Sequence, residues 1–251
     1  STLSSITATG GSGPGIAQSG SGGTVYIPGT PLIPVPNWNS SDWNLYDTIT
    51  IDATQVDDDL TDFPVYVDLA DLSPTFWATT PTSSALVGTD IRVTTDDGSP
   101  MELARELVSA SSTAEAGELH FKADSISSTT DTVFRVYYNG STVGDYAIDA
   151  TYGAENVWTN GFVGVWHMNE DPSGTAPQII DSTSYGGDGT TAGSMTGTDL
   201  TAGQIGQTID FDGAGDDAST AAGSQYANLT QYTISTWMNM DSEFSGTTAV
   251  V

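Results

Sequence analysis

Cysteine is absent from the chain and cationic residues number four, and these two scarcities remove whole classes of function before any motif is read. Without cysteine there is no disulfide framework, no thiol nucleophile and no Cys-ligated zinc or iron–sulfur site. Arg92, Arg105, Lys122 and Arg135 face 32 acidic residues, for a formal net charge of −28. Nucleic acid is excluded as a partner, because phosphate binding draws its free energy from Lys and Arg displacing counterions. An anionic membrane surface is disfavoured on the same ground. Histidine is nearly missing too: His120 and His167 offer little material for a His-rich metal site or a Ser-His-Asp triad. No apolar run approaches the roughly 20 residues of a membrane span, so no insertion is expected. Such acidity reads as solubility in a salty or extracellular setting.

What is present is organised in three parts. Residues 1–41 carry no charge at all. Their first half is rich in Gly and Ser, and their second half is spaced by Pro28, Pro31, Pro34 and Pro36, which favours an extended chain. Such an arm has no core of its own, and fixing each of its residues costs on the order of 1–2 kcal/mol, so it orders only against a neighbour. Val25, Ile27, Leu32, Ile33 and Val35 are the apolar residues expected to pack along another chain or add a strand to its sheet.

Residues 42–149 read as an all-β sandwich. Asp47–Asp52, Pro64–Asp68 and Asp90–Thr95 alternate polar with apolar, and further strands are expected at Glu102–Val108, Glu118–Ala123 and Thr132–Tyr138. Turn signals fall between them, and no stretch has a helical stripe. The stretches Leu60-Thr-Asp-Phe-Pro-Val65, Gly88-Thr-Asp-Ile-Arg-Val-Thr94, Asp97-Gly98, Glu106-Leu107 and Tyr137-Tyr-Asn-Gly140 follow one another in that order. In this they resemble a domain of unknown function found beside concanavalin-like modules in bacterial, archaeal and viral surface proteins. The last stretch departs from that family's more usual Tyr-Tyr-Gly-Asn. The resemblance implies a fold and a setting; no catalytic set comes with it.

Residues 150–251 read as a second sandwich, joined by the short connection Ala150–Trp158 that implies close packing of the two domains. Two apolar runs, Phe162-Val-Gly-Val-Trp166 and Tyr232-Thr-Ile-Ser-Thr-Trp237, are expected as strands, with Trp166 and Trp237 in a core. Between them lie Asp181-Ser-Thr-Ser-Tyr-Gly-Gly-Asp188-Gly189 and Ile209-Asp-Phe-Asp212-Gly213. This succession resembles the concanavalin A-like jelly rolls of the laminin-G type. Such a jelly roll needs more than the roughly ninety residues that follow Gly161, so the domain reads as truncated, with Thr247–Val251 starting a further strand. The fold class expected is therefore all-β, with two tandem jelly-roll-like sandwiches behind an extended arm.

Three chemistries can be weighed. Asp210 and Asp212, at i and i+2 on a strand, are placed as concanavalin-like glycosidases place carboxylates, but the Glu-x-Asp-x-x-Glu run of those enzymes is missing and the pair reads as a strand ending in a turn. Glu170-Asp171 opens a loop, and His167 reads as a hydrogen-bonding residue at a strand end. Calcium is more plausible than catalysis: Asp181, Asp188, Asp210, Asp212, Asp216 and Asp217 fall in loops of a fold whose relatives often hold Ca²⁺ at one rim. For sugar stacking, the aromatics nearest loops or boundaries are Trp158, Tyr185, Tyr226 and Tyr232.

The expectation is a non-enzymatic structural protein of the virion surface, a capsid decoration or a fibre or tail protein. Its arm engages other structural chains, it forms a homo-oligomer, and its sandwiches project towards host-surface glycans. The alternative is a secreted or cell-surface carbohydrate-binding module, lectin-like and Ca²⁺-assisted.

Overall fold

The computed structural model describes residues 38, 42–80, 87–140, 144–221, 223–227 and 229–239. The arm residues Val25, Ile27, Leu32, Ile33 and Val35 and the run Thr247–Val251 lie outside them.

Alternation of polar and apolar side chains builds seven strands into two facing antiparallel sheets. One sheet has the order β1–β7–β3–β4, from β1 (Trp43–Ile51), β7 (Thr132–Gly140), β3 (Arg92–Thr95) and β4 (Glu102–Leu103). The other has the order β2–β6–β5, from β2 (Leu60–Asp68), β6 (Ala116–Ile126) and β5 (Arg105–Ser111). Each strand turns every second residue inward. β6 contributes Leu119, Phe121 and Ala123 to the core, and β7 contributes Phe134, Val136 and Tyr138. Phe121 and Phe134 meet edge to face across the two sheets, with ring centroids 4.8 Å apart. All six strand stretches expected in residues 42–149 are present, the Glu102–Val108 stretch being divided between β4 and β5.

One helix went unforeseen. Pro74 begins the six-residue α1 (Pro74–Thr79), and its buried Phe76 lies edge-on to Tyr138 and joins the core. Six residues are too few for a periodic stripe to show.

Two of the four cations are buried. Arg105 is buried, with Nε on the Ile91 carbonyl at 2.5 Å and Nη2 on Asp145 at 2.8 Å. Arg92 is buried beside Glu102 and stacks over Tyr146 with its guanidinium carbon 4.3 Å from the ring centroid. Lys122 and Arg135 pair with Asp62 and Asp96.

β5 and β6 pair through a bulge, the register shifting between Leu107 and Ser109 so that Val108 is the extra residue. The carbonyl of Val108 is thereby free to accept the Asn169 amide at 3.1 Å. Gly117 sits beside this bulge, where a Cβ would lie 2.5 Å from the Ser109 carbonyl oxygen and 2.7 Å from Leu69 Cδ1. Gly117→Ala should therefore destabilise the fold. A loss of about 1–3 kcal/mol from overpacking outweighs the roughly 0.4–1 kcal/mol gained by restricting the unfolded chain. Urea denaturation at constant m-value reads the difference.

Beyond β7 the chain turns back along β5, where the Arg105 amide donates to the Tyr152 carbonyl and Ala104, Val157 and Trp158 form a small second core. The described residues of 150–239 then form two ribbons, β9 (Leu200–Ala202) with β10 (Gln207–Ile209) and β8 (Gly189–Ala192) with β11 (Asp217–Thr220), plus two isolated bridges. A second pair of facing sheets is not among these pairings. The run Phe162–Trp166, expected as a strand, makes only the single bridge Trp166–Asp181. Its backbone groups are used by a turn instead: the Val165 amide donates to the Asp181 carboxylate, and the Val165 carbonyl accepts from the Ser182 amide. The run Tyr232–Trp237 has no strand pairing, and Trp237 is 70 % exposed where a core position was expected.

Candidate functional site

The outer face of the β2–β6–β5 sheet should be polar and wet on the alternation argument, because Glu118, His120 and Lys122 point away from the core. Part of it is instead buried. Trp158, His167, Asn169 and Ser182 come from the following segment to lie against it, and the Gly203–Gly206 turn between β9 and β10 closes over Glu118. At Gly206, with φ of +54°, a Cβ would stand 2.5 Å from Glu118 Oε2, so only glycine fits there without displacing the carboxylate.

Four titratable groups meet beneath this cover. Glu106 on β5 stands opposite His120 on β6 in the register, and Glu118 lies two residues before His120 on the same face. His120 Nε2 donates to Glu118 Oε1 at 2.8 Å. His167 bridges the two carboxylates, with Nδ1 3.1 Å from Glu118 Oε1 and Nε2 3.2 Å from Glu106 Oε2. Glu106 is saturated from the other side, accepting from Trp158 Nε1 on Oε2 and from Ser182 Oγ on Oε1, each at 2.5 Å. Both histidines of the chain are thus in this cluster, their ring centroids 5.0 Å apart.

Burial and charge pull the protonation states in opposite directions. Burial alone would lower the His167 pKa, but the hydrogen bonds and charges of Glu106 and Glu118 bring it up to about 9. Burial would raise Glu118, but His120 and His167 hold it down at about 2. Glu106 is likewise held below the ordinary range, by His167, Ser182 and Trp158 acting against its burial.

A pH profile follows from these directions. His167 is raised from 6.5 when folded, so its contribution is complete below about pH 6.5 and disappears as pH rises through about 9. Glu118 is lowered from 4.5, so its contribution is complete above about pH 4.5 and disappears as pH falls through about 2. The protein should be most stable near pH 5–6 and lose on the order of 2–3 kcal/mol by pH 9.5, before Lys and Tyr titrate. Denaturant titrations of chelator-treated protein at pH 6 and 9.5 measure this. A His167→Gln variant should show a flat alkaline limb.

The residues singled out from sequence fall elsewhere. Trp158, a stacking candidate, is 8 % exposed with its indole nitrogen committed to Glu106, which leaves no free ring face for a sugar. Tyr185 and Tyr232 are exposed, and Tyr226 is half-buried. Asp181 is buried, and both its oxygens are occupied: Oδ1 accepts from the Val165 and Thr183 amides, and Oδ2 from Thr183 Oγ1 and the Gly187 amide. Asp188 accepts from the Asp181 amide, Asp212 from the Ala214 amide, and Asp216 from the Ser194 and Asp212 amides. Asp210 and Asp217 are exposed. The aspartates set as calcium ligands thus act largely as local caps of loop amides. Among the described residues, the His/Asp/Glu group with ligand atoms within 4.8 Å of one another is Glu118, His120 and His167.

That group was not foreseen. The pair Glu118-x-His120 is legible in a strand, but its burial depends on the packing of Trp158, His167 and Ser182, 38–64 positions further along the chain. No family model matches the chain, and no curated protein and no solved structure matches it at a significant level.

Proposed function

We propose that the chain is a non-enzymatic structural protein of a virus particle, a capsid decoration or a fibre or tail component. In this reading the arm engages neighbouring chains and the β-sandwich is presented outward for host attachment. One observation carries it: Leu229, Tyr232, Ile234, Trp237 and Met238 are each 42–70 % exposed on a stretch without strand pairing. Five large apolar side chains are thus exposed within ten residues, a feature of contacts made in an assembly. The uncharged arm and the resemblance of residues 43–140 to a surface-protein domain support the same reading. The acidic surface suits a particle exterior.

Sedimentation velocity on the full chain tests it, beside a Tyr232→Asp/Trp237→Asp double variant and a chain lacking residues 1–36. The full chain should self-associate and both altered chains should do so less. A full chain that stays monomeric at its highest soluble concentration contradicts the proposal.

A second reading, a carbohydrate-binding module, is favoured by a groove at the β1/β2 edges of the sandwich. Its volume is about 660 Å³, and it presents Phe63 and Tyr66 beside Gln55, Asp57 and Asp58, the ring and acceptor chemistry that sugars use. A glycan array with Tyr66→Ala as control tests this reading: no glycan bound by the chain, or binding unchanged in the variant, contradicts the groove as a sugar site.

A further inference from the structure

We infer that Glu118, His120 and His167 form a site for one divalent transition-metal ion of the zinc class. The ion would pin the segment around His167 to the outer face of the sandwich. Tetrahedral Zn²⁺ with N and O ligands at about 2.0–2.1 Å holds its ligand atoms about 3.3 Å apart. Here Glu118 Oε1 lies 2.8 Å from His120 Nε2 and 3.1 Å from His167 Nδ1, and all three atoms lie within 4.8 Å of one another. An opening of a few tenths of an ångström at Glu118, with the two imidazoles drawn to the same spacing, converts the hydrogen-bonded cluster into a ligand set.

The surroundings are those a metal site needs. A ligating imidazole is oriented by a carboxylate on its other nitrogen, which fixes the tautomer and raises the basicity of the ligating atom. Glu106 takes this part for His167, at 3.2 Å from Nε2, and is itself held by Trp158 and Ser182. The side chains of Glu118, His120, His167 and Glu106 are 5–12 % exposed, which excludes most competing water. Two carboxylates and two imidazoles in a closed site reach neutrality with two added protons or with one divalent cation. The imidazole and carboxylate donors, with no thiolate, select a borderline ion over calcium. On binding, the proton on His167 Nδ1 leaves to solvent while the one on Nε2 stays with Glu106, and His120 gives up the proton that Nε2 donates to Glu118, keeping its remaining proton on Nδ1.

The loop aspartates offer no such arrangement, their oxygens being largely committed to amides. The ion proposed is therefore of a different kind, in a different place, from the calcium expected at the loop aspartates.

The test uses the full chain and Zn²⁺ or Co²⁺ alone. Chelator-treated protein titrated with Co²⁺ should develop visible d–d absorption at one equivalent. Zn²⁺ should displace it, and Zn²⁺ should raise the melting temperature reversibly to EDTA. Glu106→Gln, which leaves the three ligands in place, should weaken the affinity about 10–100-fold. His120→Asn should abolish the absorption. Should a variant fail to fold, nitrogen NMR of the two imidazoles in the wild-type chain still decides: Zn²⁺ must shift His167 Nδ1 and His120 Nε2 while leaving His167 Nε2 protonated. Absence of d–d absorption and of imidazole shifts at millimolar Zn²⁺ overturns the inference.

Discussion

Glu106→Ala is expected to lower the unfolding free energy by about 3–5 kcal/mol, the range for removing one partner from a buried ionic network. The size follows from what is left behind. Trp158 Nε1, Ser182 Oγ and His167 Nε2 all donate to this carboxylate, and each becomes a buried donor without an acceptor. His167 would also keep its charge with only Glu118 to balance it. Glu106→Gln should cost less, because its carbonyl oxygen still accepts while its amide nitrogen opposes one of the donors. A denaturant series on the wild type and the two variants separates these outcomes. Equal stability for all three would mean that the segment does not rest on β5.

Asp181→Ala is the second large effect, about 3 kcal/mol, and its character should differ. Four donors from Val165, Thr183 and Gly187 converge on this one buried side chain, within a loop that also ties the Trp166 indole to the Gly187 carbonyl. Each orphaned donor costs about 1–3 kcal/mol if it stays dry, but a loop can open to water and recover part of that. The variant should therefore lose order locally across residues 163–189 while the core of Phe121 and Phe134 stays cooperative. Asp181→Asn keeps one oxygen and should lie between the two. Near-UV dichroism together with denaturation by far-UV dichroism reads the local and the global change separately.

The strands of residues 42–149 were legible because polar and apolar side chains alternate along them, so the period of two is written directly in β1, β6 and β7. The Val108 bulge and α1 were not, since a single extra residue and a six-residue helix are too short for a periodic stripe to show. The second region was misread at Phe162–Trp166 for a physical reason: an apolar run is common to a strand and to a stretch whose backbone is held by a side chain, here Asp181. The loop aspartates were legible as a cluster but not as caps, because composition does not show which carboxylates face amides. The histidine–glutamate cluster was hidden for the opposite reason. Glu106, Glu118 and His120 sit on a face that alternation marks as solvated, and only the return of Trp158, His167 and Ser182 buries it.

That return is the central claim, and native-state hydrogen exchange tests it most directly. The amides of Val165, Ser182 and Gly187 donate to Asp181 Oδ1, the Val165 carbonyl and Asp181 Oδ2, all within the segment laid on the sheet. They should open with free energies within about 1 kcal/mol of the β6 amides, as one cooperative unit, and lose that protection together in Glu106→Ala. Exchange of these three amides at nearly unprotected rates while β6 remains protected would contradict the account. It would show that the segment is not held against the sandwich.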